Sequence, residues 1–350
     1  MKSFTVQFLQ GLSLPLGTSW LLSECMQAKG QQDLWQKKKP ETLLALKDLA
    51  RIQSVESSNR IEGVEVEQKR LEPLILGKTT ARSRPEEEII GYKKALELIH
   101  KKHSDLELNT KLIQRLHDLA QKGAGDAGVW KSRNNEILEF DIKGQKSVRF
   151  VPTPAQDVDE HMNQMCLRYL DAAAQNQHPL LILVSLFILD FLCIHPFRDG
   201  NGRVSRLLTT LLLSQNGFSV GQYVSLERLT EESKFEYYSA LKESSQSWHT
   251  GQHNPLPWIN FFLSTLRRAY KELDYRIENQ NSITLGKSDL LREIILHQLG
   301  SFTLSEIQLQ APSVSAHTIK KVLGSLKKEK KVSLKGHGRS ARWKVNTRQD

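Results

Sequence analysis

Fifteen residues, Leu180–Ile194, are almost uninterruptedly apolar, with only Ser185 and Asp190 breaking the run. A bilayer span needs about 20 such residues, so this run reads as a helix buried on every side within a protein core. A second apolar-rich stretch, 204–213, repeats at helical spacing and stops at Asn216-Gly217. Two core helices are therefore joined by the polar segment His195-Pro196-Phe197-Arg198-Asp199-Gly200-Asn201-Gly202-Arg203. Pro196 ends the first helix with His195 at its exit, and Asp199, Gly200 and Asn201 turn the chain into the second. That second helix opens with free N–H groups and its positive dipole end facing outward, a ready site for a phosphate chain.

The residue types in this segment suit such a site. His195 has an ordinary pKa of about 6.5, and its neutral imidazole can take a proton from a hydroxyl nucleophile. Asp199 is the hard oxygen ligand that Mg²⁺ accepts alongside phosphate oxygens. Gly200 and Gly202 let a polyphosphate approach the backbone, and the Asn201 amide can donate to it. Arg203 and Arg206, three apart, occupy neighbouring sides of the first turn and can clamp phosphates bidentately. A plain polar turn accounts for any one of these residues but not for the set.

Residues 195–206 resemble the H-P-F-x-[D/E]-G-N-G-R-x-x-R signature of Fic proteins at every specified position. The resemblance implies transfer of AMP from ATP to a protein hydroxyl, with Mg²⁺ present. It implies His195 as the base, Phe197 as a core anchor and Asp199 as the residue holding Mg²⁺ on the α- and β-phosphates. It further implies an anion hole of Gly200, Asn201 and Gly202, with Arg203 and Arg206 on the distal phosphates. The related Doc kinases, which bind ATP reversed, carry Ala and Lys where this chain has Gly200 and Gly202. That departure favours nucleotidyl over phosphoryl transfer.

Far upstream, residues 45–61 have helical periodicity, and Glu62 stands at their end just before Gly63, a natural C-cap. The helix dipole disfavours a carboxylate there, which points to a cation holding it. Ser57-Ser58-Asn59-Arg60-Ile61-Glu62-Gly63 resembles the [S/T]-x-x-x-E-[G/N] inhibitory helix of the same family, with Ser58, Glu62 and Gly63 in the matching places. The family's partner for that carboxylate is the second motif arginine, here Arg206, and the pair denies the γ-phosphate its site.

Gly128-Val129-Trp130-Lys131, Asn135 and segment 146–152 resemble the family's flap and its approach. Ser147, Val148, Arg149, Phe150 and Val151 alternate and are closed by Pro152 and Pro154. This is the pattern of a short exposed hairpin strand, able to hold a target segment by main-chain hydrogen bonds. Tyr237 and Tyr238 resemble the Tyr-Tyr segment lining the family's adenine and ribose pocket, but they read equally as helix core. Ser244 and Ser245 stand where some relatives have an Asn. Trp258-Ile259-Asn260-Phe261-Phe262 resembles the closing aromatic helix of the core, and the resemblance spans 43–263.

At 350 residues, with 39% hydrophobic and 25% charged side chains, the chain belongs with folded rather than disordered proteins. Gln7, Gln10 and Pro15 interrupt any signal-peptide pattern. Cys25, Cys166 and Cys193 are widely spaced, which gives no disulfide framework and fits a cytoplasmic protein. Gly77-Lys78-Thr79 and Gly286-Lys287-Ser288 lack the upstream glycine of a P-loop. His249 and His253, separated by Gly251, read as a solvent-exposed loop rather than a metal pair.

Basic charge is concentrated at the end of the chain. Residues 285–350 hold 13 Lys or Arg against 5 Asp or Glu, whereas the preceding 284 residues hold 36 against 34. Patterning there gives helices at 288–299, 304–309 and 315–328, then strands at 332–335 and 341–345 around Gly336 and Gly338. Three helices followed by a two-stranded wing look like a winged-helix domain. Lys320, Lys321, Lys327 and Lys328, with Arg339 and Arg342 by the wing, could meet DNA phosphates; a surface for protein contact or dimerisation is the alternative.

The sequence thus predicts a mainly α protein in three parts. These are an N-terminal helical region, 1–95, with the inhibitory helix at 45–63; a Fic-type helical core with a short β-hairpin flap, 96–282; and a winged helix-turn-helix domain, 285–346. The expected function is an autoinhibited protein adenylyltransferase that takes ATP and Mg²⁺ and modifies a Ser, Thr or Tyr hydroxyl of a target protein and of itself. The alternatives are a DNA-binding regulator that senses ATP, and an enzyme that removes AMP with Glu62 positioning water. No membrane association is expected, and a homodimer is left open.

Overall fold

The computed structural model describes residues 2–140, 146–282, 287–296, 298, 301–310, 316–336 and 341–346. The chain divides into two compact units, Met1–Val66 with Leu74–Leu273, and Glu67–Pro73 with Asp274–Asp350. The fold is mainly α, with small antiparallel sheets. In chain order the first helices are α1 (Val6–Gly11), α2 (Leu16–Lys38), α3 (Pro40–Ile61), α4 (Gln68–Ile75), α5 (Arg84–Lys102) and α6 (Thr110–Ala120). Strands β1 (Ile137–Phe140) and β2 (Lys146–Phe150) follow, pairing antiparallel with Leu138 opposite Val148. Then come α7 (Val158–Gln175), α8 (Leu180–Ile194), α9 (Asn201–Gln215), α10 (Leu226–Glu232), α11 (Lys234–Ser245) and α12 (Leu256–Ser282).

The apolar run is α8, and every residue from Leu181 to Ile194 is buried. Helices α7, α9 and α11 pack around it. Truncating one of its fully buried aromatics, such as Phe187, would cost about 3–5 kcal/mol. The polar residue in the run has its own partners. Asp190 accepts from Ser3 Oγ at 2.6 Å, from Trp248 Nε1 at 2.5 Å and from the Ser3 N–H at 3.2 Å. Burial pushes its carboxyl up to about 6 against these donors. The start of the chain is thereby tied to the central helix. Ser3 Oγ also meets His253 Nε2 at 2.9 Å, and His253 stacks on Phe8 at 4.5 Å. His253 is therefore a buried core residue rather than a loop residue in solvent, whereas His249 is exposed.

Helix α8 stops because His195 turns left-handed at φ 51°, with its N–H donating to the Phe191 carbonyl at 2.9 Å, and the next residue is a proline. Gly200, at φ 78°, then turns the chain into α9, a conformation that L side chains rarely adopt. Cys25, Cys166 and Cys193 are free and buried. Among the described residues no helix is long and apolar enough to cross a membrane.

The second unit contains α13 (Lys287–Leu296), β3 (Ser301–Phe302), α14 (Leu304–Gln310), α15 (Ala316–Lys328), β4 (Val332–Lys335) and β5 (Arg342–Val345). Its core gathers Leu291, Ile295, Phe302, Ile307, Leu323 and Leu326. The sheet is antiparallel, in the order β3-β5-β4. The strand β3 was not expected, since two residues carry no alternation to read. Leu299, Ser315, Gly338 and Arg339 lie outside the described residues.

Candidate active site

The loop between α8 and α9 is held from within and from behind. Phe197 is fully buried and stacks on His117 of α6 at 3.6 Å with an interplanar angle of 4°. His117 accepts the Gly128 N–H at Nδ1 (2.8 Å) and donates from Nε2 to the Asp199 carbonyl (3.0 Å). Those two bonds fix one neutral tautomer, and burial lowers the pKa in the same direction. Asn201 is spent inside the loop, its Oδ1 accepting the Phe197 N–H at 2.9 Å and its Nδ2 donating to the Phe197 carbonyl at 2.8 Å. Its side chain is therefore a loop clasp and not a donor to a ligand; what it offers outward is its backbone N–H.

His195 is half-buried at the loop's entrance. Its Nδ1 lies 3.3 Å from the Leu192 carbonyl, an acceptor, so the proton sits there and leaves Nε2 as the basic nitrogen. Burial pushes the imidazole down to about 4, with nearby Lys131 acting in the same direction, so it is neutral at pH 7. Lys131 is itself buried, donating to Asn135 Oδ1 at 2.7 Å and to the Ile194 carbonyl at 3.4 Å, and burial lowers its amine to about 8.

Asp199 stands at the lip, with its side chain 65% exposed. Its Oδ1 accepts the Gly200 N–H at 2.6 Å, and its Oδ2 is 4.0 Å from Arg203 Nη2. This exposed carboxylate beside a helix N-terminus fits a Mg²⁺ whose remaining ligands come from phosphate and water. Among the described residues no group of three or more His, Cys, Asp or Glu could hold a metal ion by itself.

Helical geometry leaves the N–H groups of Asn201, Gly202 and Arg203 without acceptors inside α9. The Glu62 carboxylate fills the space beside them. A Cβ added at Gly202 would overlap Glu62 Oε1, so the absence of a side chain at 202 is what lets that carboxylate in. Glu62 Oε1 also accepts from Arg206 Nη2 at 2.7 Å. Arg206 donates as well from Nε to Ser58 Oγ (2.8 Å) and from Nη2 to the Ser58 carbonyl (2.9 Å), while its buried Nη1 has no partner. Ser58 and Glu62, one turn apart, thus grip one guanidinium, and the unsatisfied Nη1 is a donor suited to an anion.

Glu62 is placed by the way α3 ends. Gly63, at φ 77°, closes the helix, and Lys234 Nζ donates to the Ile61 carbonyl at 3.0 Å. One turn earlier, Arg60 forms a two-point pair with Glu231 of α10, at 2.5 and 3.0 Å. Ser54 Oγ meets Ser225 Oγ at 2.9 Å.

Arg203 departs from expectation. It is 1% exposed, with Nη1 on Glu88 of α5 at 2.5 Å and on Asn59 Oδ1 at 3.5 Å. The Gln121 amide oxygen accepts from its Nη2 at 2.7 Å and from the Gly200 N–H at 3.1 Å. Burial against Glu88 makes Arg203 a strut beneath the loop instead of an open phosphate clamp. Tyr237 is likewise core, 4% exposed and packed on Trp258 and Phe261, whereas Tyr238 is half-buried beside Arg149, whose guanidinium lies 5.9 Å from its ring centroid. Ser244 Oγ accepts the Trp258 N–H and Ser245 Oγ donates to the Lys242 carbonyl, and both side chains are buried.

Strand β2 covers Ser147, Val148, Arg149 and Phe150, with Val151 just beyond it. Val148 and Val151 are 48% and 54% exposed, and Phe150 stacks on His249 at 5.4 Å. His249 Nε2 donates to the Val151 carbonyl, and Lys242 pairs with Glu139 of β1, so both strands are tied to the helical core. Sequence reasoning did not find His117, Gln121 or Glu88. Each lies on or at the end of a helix remote in sequence and carries no local signature.

Residues 107–213 match the Fic/DOC family model. Solved structures share the fold. A Fic family protein from Desulfovibrio desulfuricans G20 is similar over 97% of this chain and 98% of its own, at 19% identity and a TM-score of 0.61. A Fic domain containing signaling protein from Bacteroides thetaiotaomicron VPI-5482 is similar over 73% of this chain and 94% of its own, at 22% identity and a TM-score of 0.57. A fragment of Fic-1 from C. elegans covers 76% of this chain and 73% of its own, at 17% identity and a TM-score of 0.53. The matched segment holds the α8–α9 loop, with His117 beneath it and Arg206 at its far end.

Proposed function

We propose that this chain is an autoinhibited protein adenylyltransferase, moving AMP from ATP to a Ser, Thr or Tyr hydroxyl of a target protein and of itself. The family is in general enzymatic and moves nucleotide groups onto proteins, which supports the coarser part of the reading. The observation that carries the finer part is the Glu62 carboxylate on Arg206 and against Gly202. An anion occupies the anion site, and it is delivered by the chain itself.

The target hydroxyl gives its proton to His195 Nε2 as its oxygen bonds to the α-phosphorus. The bond from that phosphorus to the bridging oxygen breaks, and pyrophosphate leaves with the electron pair. Asp199 would hold Mg²⁺, which when bound neutralises charge on the phosphates. The N–H groups of Asn201, Gly202 and Arg203 face the chain of phosphates, and Arg206 receives the distal one once Glu62 withdraws. Strand β2 offers unpaired main-chain groups and the exposed Val148 as a rest for the target segment, above His195.

Incubation of the purified protein with Mg²⁺ and α-labelled or γ-labelled ATP, followed by mass spectrometry, tests the reading. The expected result is α-label carried as AMP on protein. His195→Ala should abolish it while ATP still binds, because His195 touches the hydroxyl and not the phosphates. Label from the γ position alone would replace this reading with kinase chemistry. Loss of AMP from a pre-modified target, with no transfer, would favour the reverse reaction.

A further inference from the structure

Helix α15 presents two faces of opposite character. Ile319, Val322, Leu323 and Leu326 are buried in the core of the second unit. On the helical wheel the direction opposite to them is occupied by His317, Lys321, Gly324 and Lys328, spaced four, three and four residues apart. Lys320 and Lys327 flank this stripe, and all four lysines and His317 are exposed. No carboxylate lies within α15; the nearest, Glu329, is just past its end and is engaged by Arg292 and Ser325. Nothing lies within 4 Å of where a Cβ at Gly324 would stand, so the middle of the stripe is open and low. Strands β4 and β5 add exposed Lys335, Arg342 and Lys344 on the same unit.

We propose that this unit binds duplex DNA, with the His317–Lys321–Gly324–Lys328 stripe of α15 lying in the major groove and Lys320 and Lys327 on the phosphates beside it. The major groove admits an α-helix, and the missing side chain at Gly324 lets the helix backbone come closer to the groove floor at that point. The charge is complementary: the helix offers four lysines and no acid, and duplex DNA offers a dense row of phosphates. The proposal does not depend on the reading of the catalytic unit.

The test is binding of the full chain to a labelled duplex of about two helical turns, followed by anisotropy as salt is raised. The two lysines on phosphates predict a log–log slope of about −2, or roughly a tenfold loss of affinity between about 50 and 200 mM salt. The Lys321→Glu/Lys328→Glu double variant should weaken binding at least about tenfold, whereas Lys101→Glu/Lys102→Glu, the same change of charge on exposed lysines of α5, should not. Gly324→Leu provides the uncharged arm. It has room to fold and should gain helix propensity, yet it should weaken binding by about tenfold through bulk alone. Absence of duplex binding at low salt, tighter binding of single-stranded RNA of the same length, or equal losses in the two double variants would each overturn the proposal.

Discussion

The two motif arginines, three residues apart on α9, have opposite fates, and the contrast bears on the proposed latch. Arg203 and Glu88 form a pair whose side chains are 1% and 8% exposed, with Asn59 and Gln121 around them. Arg206 and Glu62 form a pair whose side chains are 7% and 26% exposed; each arginine leaves one guanidinium nitrogen without a partner, Nε of Arg203 and Nη1 of Arg206. The first pair cannot open without stranding the Arg203 charge in the core. In the second, the carboxylate hangs on the residue just past the end of α3 and is partly exposed. A latch needs that asymmetry: one partner fixed, the other able to withdraw.

The contrast is broken most forcefully by truncating one partner of the inner pair. Glu88→Ala should lower unfolding free energy by about 3–5 kcal/mol, because the Arg203 charge stays buried without its carboxylate, whereas Arg203→Ala should cost less, since Glu88 keeps its pair with Arg84 at 2.9 Å. Glu62→Gly should cost about 1 kcal/mol or less, as expected for a partly exposed pair. Denaturant melts of the three variants read this directly, and equal losses would erase the distinction.

A medium effect is expected behind the loop. His117→Ala removes the acceptor of the Gly128 N–H and the donor to the Asp199 carbonyl, at a cost of about 1–3 kcal/mol. The pH dependence has a definite sign. A histidine whose pKa is lowered by folding contributes stability that is complete above its unfolded value, about 6.5, and is lost as the pH falls below it. Comparing wild type with His117→Ala between pH 7 and pH 5 should show a shallower acid loss in the variant.

A small change in stability, about 1 kcal/mol, is expected for Gly202→Ala, where the new methyl meets the far ends of the Glu62 and Arg206 side chains and no backbone. ATP affinity should nevertheless fall, since the methyl occupies the space a phosphate would use. Isothermal titration checks it, and unchanged affinity would move the anion site elsewhere.

Much of this was legible in the sequence because the chemistry is local there. The loop from His195 to Arg206 is contiguous, and the turn residues and the two apolar stretches announce its geometry. Glu62 was legible because a carboxylate at a helix C-terminus runs against the dipole and requires a cation. Arg203 was misread because nothing near it in sequence reveals Glu88, which comes from a helix more than a hundred residues upstream. Asn201 was misread for a different reason: its side chain can serve the loop or a ligand, and spacing alone does not choose between them. His253 looked like a loop residue until the chain start, through Ser3 and Phe8, supplied its cover.

The central claim is that Glu62 holds Arg206 away from ATP. Initial rates of AMP incorporation should be measured side by side for wild type, Glu62→Gly, Arg206→Ala and the double variant. Glu62→Gly should be faster than wild type by roughly 100- to 1,000-fold, the usual worth of one well-placed donor to a reacting phosphate chain. Arg206→Ala should show no gain, since it removes the phosphate contact together with the latch, and the double variant should match it. A Glu62→Gly rate equal to or below wild type, or a gain in Arg206→Ala as large as that in Glu62→Gly, would contradict the account.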